Sequence, residues 1–573
     1  MLTLVPYLIL SLVGVMFCGM IFWKAFDIPR NVILSVGGLV SLWLWIGYGA
    51  SVIYLPSGVV YLTLGMLVWW LARSMTSAHP QNSLNDCVVF GGVVVMCLLL
   101  EPGWEKVAIQ VFVVAALLNC VYAIMQRDFR YEPLKESSNF SHHYAIGFLG
   151  NENMLGCYLV PHIFMAGWLG ATVHPAWFMA VIPIIYTTWR TRCKNAFLGV
   201  ASGLVYLTGI YVGWMMTVNA AIVAGLIIGV LYYKGVLKDR NGLNTLRERL
   251  NYWRVALLQI QKTPLMGLGF NEFQIKVPFL QRELNKDSNG EFLKKENYEC
   301  PYPQKCHNDY LQHALDNGLI GLGLILALTV LALRGHVGMT GNWSFLTAGF
   351  VTMLVMSAFF HTFHIRSTNV LFWFLTFMLI RAGSSELMPV ELGIPLVIFI
   401  LVIYGVLVIR APLRWALADF WYHRFVTKGD IKYAKKCLNI RPYSGAFRTM
   451  VSKYYFQKNQ VPQLYEHSMA AVHDYDGDQR LWELWANLGT ALMLNGAFHI
   501  AKRCYETSLS FLPYYDRALT DIAQIDNILN QVNNKQTVRV VDEQSGEMGK
   551  IGGYGRDESA QMAGLLHTPP EPV

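Results

Sequence analysis

Long apolar runs constrain the fold of this 573-residue chain more than any other feature of its sequence. A helix needs about 20 mainly apolar residues to cross a hydrocarbon core roughly 30 Å thick, where the backbone must satisfy its own hydrogen bonds. The sequence holds about thirteen runs of this kind. They are centred near residues 13, 43, 64, 92, 115, 162, 182, 204, 225, 326, 352, 374 and 400. We therefore predict an all-α, polytopic membrane helix bundle of about 12 to 13 transmembrane helices.

Composition excludes an ordinary soluble protein. Hydrophobic residues make up 54% of the chain and charged residues 14%, and the mean hydropathy is +0.36, whereas soluble domains carry about 25% charged residues. The first apolar run has neither a basic start nor a small-residue cleavage site, which favours a retained span over a removed signal peptide. The net charge of +8 comes without a basic run, so nothing indicates a nucleic-acid partner.

Changes in polarity divide the chain into domains. The predicted membrane domain, residues 1–411, is interrupted by one long polar loop at residues 236–317. Soluble helical sequence follows at residues 412–530, and the tail, residues 531–573, has the glycine, proline and charge content of disorder. Between Lys238 and His307, twelve basic and eight acidic residues give the loop a charge of +4 (twelve minus eight), which suits a phosphate-bearing partner.

The segment 412–530 carries the spacing of a tetratricopeptide-like α-solenoid. The matching positions are Trp485, Leu488, Gly489, Leu492, Ala501, Tyr505, Ser508 and Pro513. One such repeat cannot bury its own apolar faces, so we expect about three stacked units. Repeats of this kind bind protein segments, which favours a protein acceptor or a protein partner for this chain.

The long loop begins with a predicted amphipathic helix. Apolar residues recur at helical spacing from Leu246 to Ile260, the pattern ends near Pro264, and the segment MGLGF follows as a turn.

A second helix is predicted at the end of the loop. Asn308 or Asp309 can cap its N-terminus, and Gly318 separates it from the next span. His307 is therefore expected at a helix start, just above the membrane surface.

Counting alternate spans places several polar residues on the membrane face that carries the long loop and the C-terminal domain. These are Asn151, Asn153, Arg190, Arg192 and Lys194, together with His142, His143, His361, His364 and Arg366. Charges at the edge of a span are functional candidates, although arginines there also act as interfacial anchors. The basic segment 127–135 would share this face. Because basic loops favour the cytoplasmic side of a membrane, this segment is evidence against placing the face outside. Histidine pairs at membrane edges are usually interfacial, and we expect no metal site.

A histidine and arginines on one face indicate a reaction at a phosphate-bearing substrate. An imidazole with a pKa near 6.5 can transfer protons at neutral pH. Guanidinium groups match phosphate oxygens, so Arg192 and Arg249 would suit a diphosphate leaving group. From these residues alone a structural alternative stays open, in which the histidine packs in the loop and the arginines pair with Glu248 or Glu283.

Two cysteines, Cys300 and Cys306, flank the polar segment PYPQK in the loop. Their spacing allows a local disulfide in an oxidising compartment and equally allows two free thiols. A bridge would stiffen the approach to His307.

Four motifs resemble those of the O-antigen ligase family, bacterial membrane glycosyltransferases that include O-antigen ligases, related polymerases and protein O-oligosaccharyltransferases. The most specific is GLGFNEF followed at a distance by HNDYLQHALDNGLIGLGL. RLNYWRVAL, which starts at Arg249, resembles the family's arginine-containing helix. TRCKNAF resembles its arginine motif at a span start, and GNENMLGCYL resembles its asparagine motif. The resemblance covers about residues 145–335.

The resemblance implies a metal-independent transfer of a glycan, without cofactor, from an undecaprenyl diphosphate carrier to an acceptor hydroxyl. His307 would be the catalytic base, and Arg192 and Arg249 would hold the diphosphate. Arg190 and Lys194 are secondary candidates, because a basic residue after the arginine of TRCKNAF departs from the family's usual pattern.

The implied location is the bacterial inner membrane, with the large loop and the C-terminal domain in the periplasm. The partners would be the lipid-linked donor, an acceptor glycolipid, protein or growing polysaccharide, and the bilayer. Asn151, Asn153 and Asn308 complete the candidate set, although capping is the expected role of Asn308.

Two other classes of function compete with a transferase. A transporter or flippase of lipid-linked saccharides is compatible with the number of spans, but no paired short or broken segments indicate inverted repeats. A membrane-anchored repeat scaffold without catalysis would leave the loop histidine and the arginines unexplained.

Overall fold

The structure, a computed structural model, describes residues 27–47, 52–130, 145–215, 217, 240–284, 305–334, 341–384, 390–442, 444–475, 477 and 480–543. The chain forms two compact units. The membrane unit comprises Met1–Phe273 and Lys305–His423, and the C-terminal unit comprises Gln274–Gln304 and Arg424–Val573.

The described part of the first half of the chain contains nine α-helices and one short strand. Its elements are α1 (Asp27–Gly47), β1 (Val52–Ile53), α2 (Ser57–Met75), α3 (Pro80–Leu98), α4 (Glu105–Asp128), α5 (Glu152–Thr172), α6 (Val181–Thr191), α7 (Lys194–Val212), α8 (Arg240–Lys262) and α9 (Phe273–Leu284). Short 3-10 turns at Gly147–Leu149 and Pro175–Ala180 precede α5 and α6.

The described part of the second half of the chain contains eleven α-helices and one short strand. Its elements are α10 (Asp309–Arg334), α11 (Trp343–Ser357), α12 (Arg366–Gly383), β2 (Val390–Glu391), α13 (Ile394–Val408), α14 (Arg414–Lys428), α15 (Ile431–Ile440), α16 (Gly445–Gln457), α17 (Val461–His473), α18 (Leu481–Leu494), α19 (Phe498–Phe511) and α20 (Asp516–Glu543). The strands β1 and β2 pair antiparallel over two residues each.

Eight helices among the described residues are long and apolar enough to cross a membrane. They are α1, α2, α3, α4, α5, α7, α10 and the continuous pair α13–α14. This confirms the predicted all-α, multi-pass membrane bundle. The predicted runs near residues 13 and 225 lie outside the described residues.

Two predicted spans are shorter than the sequence suggested. The run near residue 182 is α6, which has 11 residues and ends where Arg192 adopts a left-handed conformation (φ 55°). The run near residue 352 is α11, which has 15 residues. Apolar composition alone does not show where a helix stops inside a run.

The core of the membrane unit is built on α3, α5 and α12. Nearly every residue of these three helices is buried, including polar ones. By contrast α13 exposes Phe399, Val402 and Val406, an apolar surface that fits contact with lipid tails.

A close backbone contact joins the turn after α8 to the kink in α10. Gly318 has φ 69° and ψ −179°, which divides α10 into a short helix, residues 309–317, and the span that follows. The Leu268 N–H donates to the Leu315 carbonyl (2.6 Å) and the Gly269 N–H to the Asp316 carbonyl (2.8 Å). A Cβ at Gly318 would lie 1.9 Å from the Leu265 carbonyl oxygen, so only glycine fits there. The predicted break at Gly318 is confirmed.

The C-terminal unit is a succession of paired helices. In the pair α18–α19 the ring of Tyr505 lies close to Gly489, where an added Cβ would be 3.0 Å from the ring. The Tyr505 hydroxyl is 2.9 Å from the Thr490 hydroxyl. Ser508 donates to the Trp482 carbonyl at 2.7 Å. The tetratricopeptide interpretation stays a prediction.

The units differ from the predicted domains in three places. Residue 411 lies inside a π-turn, Ile409–Leu413, that joins α13 to α14, so the membrane unit extends to His423. Helix α9, in the predicted loop, belongs to the C-terminal unit. Helix α20 continues past residue 531, the predicted start of disorder, because Ile525 and Leu529 extend its apolar stripe. Residues 544–573 lie outside the described residues.

Candidate functional site

His307 immediately precedes the short helix of α10 and adopts a left-handed backbone conformation, with φ 56°. Such a conformation is uncommon for a residue with a side chain and is enriched at functional sites. Three rings surround its imidazole, with centroids at 6.0 Å for Tyr252, 5.6 Å for Phe360 and 4.9 Å for His361. The imidazole thus stands in an aromatic environment and not in open solvent.

Asn308 fixes the position of His307 by capping the short helix. Its Oδ1 accepts from the Leu311 N–H at 3.0 Å, the N-cap interaction expected from the sequence. Its Nδ2 donates to the Ala358 carbonyl at 2.9 Å. This second bond ties the helix start to the segment 358–365 between α11 and α12, which we call the histidine loop.

Arg249 of α8 reaches the same histidine loop. Its Nη1 donates to the Phe359 carbonyl at 2.9 Å. Burial lowers the pKa of this guanidinium, and its positive charge in turn acts on His307. Burial first, and then the charge of Arg249, lower the pKa of His307 to about 4. The imidazole is therefore neutral at pH 7 and has a lone pair with which to accept a proton.

Two buried carboxylates of the short helix also hold the histidine loop. Asp309 Oδ1 lies 2.6 Å from His364 Nδ1, and Asp316 Oδ2 lies 3.4 Å from His364 Nε2. The other oxygen of Asp309 accepts from the Phe363 N–H at 2.7 Å. Burial alone would lower the pKa of His364, but the hydrogen bonds to Asp309 and Asp316 outweigh it, so the pKa is raised.

Side chains anchor the turn after α8 to the residue that precedes α3 and to the segment that precedes His307. Glu272 is buried and accepts from the His79 backbone N–H at 2.7 Å, with its other oxygen 2.9 Å from His79 Nδ1. Phe270 is fully buried. Lys305, two residues before His307, donates to Asn271 Oδ1 at 2.6 Å. The two segments GLGFNEF and HNDYLQHALDNG therefore form one structure.

The arginine motif at the start of α7 contacts the start of α5 through Cys193. The Cys193 sulfur is 3.8 Å from the Asn153 carbonyl oxygen. Hydrogen bonding from Cys157 lowers the pKa of Cys193, and the charge of Arg249 contributes in the same direction. The contact between Cys193 and Asn153 thus joins the start of α7 to the start of α5.

The basic side chains of that motif differ in environment. Arg190 forms an ion pair with Asp128, lies over the ring of Tyr186 and is partly buried. Arg192 and Lys194 are exposed. The geometry gives Arg190 a structural role, whereas Arg192 is an exposed residue that immediately precedes Cys193.

The two asparagines of GNENMLGCYL have local roles. Asn151 caps α5 by accepting from the N–H groups of Asn153 (2.8 Å) and Met154 (3.2 Å). Asn153 contributes its carbonyl to the contact with Cys193.

The predicted disulfide is not tested, because Cys300 lies outside the described residues, as do His142 and His143. Cys306 is buried, and its sulfur lies 3.1 Å from the Asn308 carbonyl oxygen. Within the described ranges no group of three or more His, Cys, Asp or Glu side chains could hold a metal ion.

Sequence reasoning missed the histidine loop as a part of the site. The segment FFHTFHIR lies more than 50 residues beyond His307, and from the sequence we expect its histidines to be interfacial. Its contacts with Asn308, Asp309 and Arg249 are long-range in sequence. The one available signal was the parity of spans, which placed His361 and His364 on the face that carries His307.

Comparison with known proteins identifies one region. Residues 167–326 match a family model described as O-antigen ligase. The match includes the motif at the start of α7, the helix with Arg249, the GLGF turn and His307, and it starts after Asn151 and Asn153. No curated protein matches the chain.

Proposed function

We propose that this chain is a membrane glycosyltransferase acting on a lipid-linked donor, because residues 167–326, which include His307 and Arg249, match a family model described as O-antigen ligase. The donor class is a glycan on an undecaprenyl diphosphate carrier. The reaction transfers that glycan to an acceptor hydroxyl of a lipid A core, a protein or a growing polysaccharide. In this proposal the site faces the periplasm from the inner membrane of a bacterium.

One observation carries the proposal. A neutral imidazole, His307, and a partly buried guanidinium, Arg249, are held at one membrane-edge site by the same histidine loop. A proton acceptor beside a fixed cation matches a reaction in which a hydroxyl loses a proton and a diphosphate leaves.

The proposed step balances in atoms and charge. The acceptor hydroxyl oxygen attacks the anomeric carbon of the donor sugar and gives its proton to His307. The bond from that carbon to the diphosphate oxygen breaks, and undecaprenyl diphosphate leaves with the electron pair. Arg249 stabilises the negative charge that develops on the leaving oxygen, and the exposed Arg192 contributes to capture of the diphosphate.

Donor binding would also prepare the base. A diphosphate beside Arg249 offsets the positive charge that lowers the pKa of His307, and its own negative charge favours the imidazolium. The imidazole therefore becomes a stronger base when the donor is present.

The test is glycan transfer in membranes that contain the His307→Ala variant. Loss of a general base costs about 10²- to 10⁴-fold in rate, and the variant should insert normally. His499→Ala is the matched control, because His499 is an exposed histidine of α19 in the C-terminal unit. A transporter or a scaffold would tolerate both changes. Undiminished transfer by a correctly inserted His307→Ala protein would contradict the proposal.

A further inference from the structure

Helix α9 of the long loop shares an apolar core with the C-terminal helices. Ile275 is fully buried in the cluster that contains Trp482 of α18 and Phe511 of α19, and Phe279 packs against the same cluster. Val277 is also fully buried. The C-terminal unit therefore does not consist of the C-terminal sequence alone.

The residues that make this contact form one stripe of α9. Ile275, Phe279 and Arg282 follow at spacings of four and three, so they lie on one face of the helix. The rings of Phe279 and Phe511 meet edge to face at 5.5 Å, and the guanidinium of Arg282 lies 5.2 Å from the Phe511 ring centroid. Arg282 thus completes the apolar contact with a cation–π interaction.

A glycine in the C-terminal unit makes room for the start of α9. Gly477 has φ 80°, and a Cβ there would lie 2.6 Å from the Gln274 side chain and 3.1 Å from that of Ile275. The backbone at this position can come close to α9 because there is no side chain.

The helix is a weak one without this support. It has 12 residues and contains Pro278 in its interior. Isolated helices shorter than about 12 to 15 residues are marginal in water, and an interior proline removes a backbone hydrogen bond and destabilises the helix. Packing on the C-terminal helices must therefore supply the stability of α9.

We propose that the C-terminal unit is an internal binding partner of the long loop, which it recognises through the Ile275–Phe279–Arg282 stripe of α9. The mode is that of an amphipathic helix bound by a helical repeat surface. Because one compact unit contains both segments, the loop and the C-terminal unit lie on the same side of the membrane. The inference goes beyond the proposed transferase reaction and would stand without it.

Amide hydrogen exchange on the full-length protein tests the contact. Ile275→Ala should speed exchange of the α9 amides by about 30-fold or more, the effect of truncating a buried isoleucine. Phe279→Ala, at a less buried position, should speed it by about tenfold or more. Helix α15 should keep its protection in both variants.

Leu280→Ala is the matched control, since Leu280 lies on α9 but outside the apolar cluster. It should leave exchange unchanged. Full protection of α9 in Phe279→Ala, or equal loss of protection in Leu280→Ala, would overturn the proposal.

Labelling with a membrane-impermeant maleimide tests the shared side. Lys262→Cys in the loop and Asn459→Cys in the C-terminal unit replace exposed residues. In sealed vesicles of one orientation both should react or neither should react, after subtraction of labelling in the parent chain. Reaction of only one would overturn the inference. Neither measurement involves glycan transfer, so failure of the contact is distinguishable from failure of the proposed reaction.

Discussion

Two arginine-bearing regions of the membrane unit present the same chemical group in different surroundings. Arg249 on α8 is partly buried, bonded to the Phe359 carbonyl and close enough to His307 to lower its pKa. The segment from Arg190 to Lys194 carries three basic residues, of which Arg190 pairs with Asp128 and the other two are exposed.

This difference identifies the arginine on which the proposed chemistry depends. A cation at a site with little water acts strongly on nearby charge, whereas an exposed cation is screened by solvent and salt. Arg249 is therefore suited to stabilise a leaving diphosphate. The exposed residues are suited to attract a lipid-linked anion before it reaches the site.

The largest expected effect is on stability, and it compares two carboxylates. Asp309→Ala removes a fully buried partner of His364 and of the Phe363 N–H, which should cost about 3–5 kcal/mol of unfolding free energy. Asp128→Ala removes the partner of Arg190 near the surface and should cost about 0–1 kcal/mol. Denaturation of the detergent-solubilised variants measures both. Equal losses would show that the histidine loop is not held by its buried ion pair.

Arginine replacements should separate the two regions in rate. Arg249→Ala should lower glycan transfer by about 10²- to 10³-fold, as loss of one group that stabilises developing negative charge does. Arg249→Lys should recover only part of the rate, because an ammonium lacks the planar fork. Arg190→Ala should leave the rate within about twofold, since loss of a partly exposed ion pair is a small effect. A larger loss in Arg190→Ala than in Arg249→Ala would reverse the assignment.

At Arg192 we expect an effect on donor capture that is smaller than the effect at Arg249. Arg192→Ala should raise the KM for the lipid-linked donor by about tenfold with little change in kcat, because the residue contributes to capture and not to the transition state. The increase should shrink at high salt, since exposed charges are screened. An equal fall in kcat would place Arg192 in the reaction itself.

Local patterns in the sequence were sufficient to predict the elements that depend on nearby residues. Helical spacing predicted α8, and the sequence also indicated the Asn308 cap and the break at Gly318, because each depends on residues within a turn or two. Apolar runs predicted the membrane bundle. The sequence could not show that α6 and α11 are short.

What the sequence missed depends on contacts between distant residues. Helix α9 was not predicted, because Pro278 interrupts its pattern and its stability comes from Trp482 and Phe511 about 200 residues away. The role of Arg190 could not be deduced without Asp128, which lies 62 residues earlier. The contacts of the histidine loop with Asp309 likewise span more than 50 residues. The roles of His307, Arg249 and Arg192 in catalysis remain predictions.

The acid limb of the pH profile of kcat/KM tests the central claim most directly, because it reports the protonation of the free enzyme's base. Burial and Arg249 lower the pKa of His307 to about 4, so transfer by the unmodified protein should persist well below pH 6.5 and fall only toward pH 4. Arg249→Gln removes the positive charge that opposes protonation, so the pKa of His307 should rise and the acid limb should move to higher pH. An acid limb at the same pH in both proteins would contradict the pairing of His307 with Arg249.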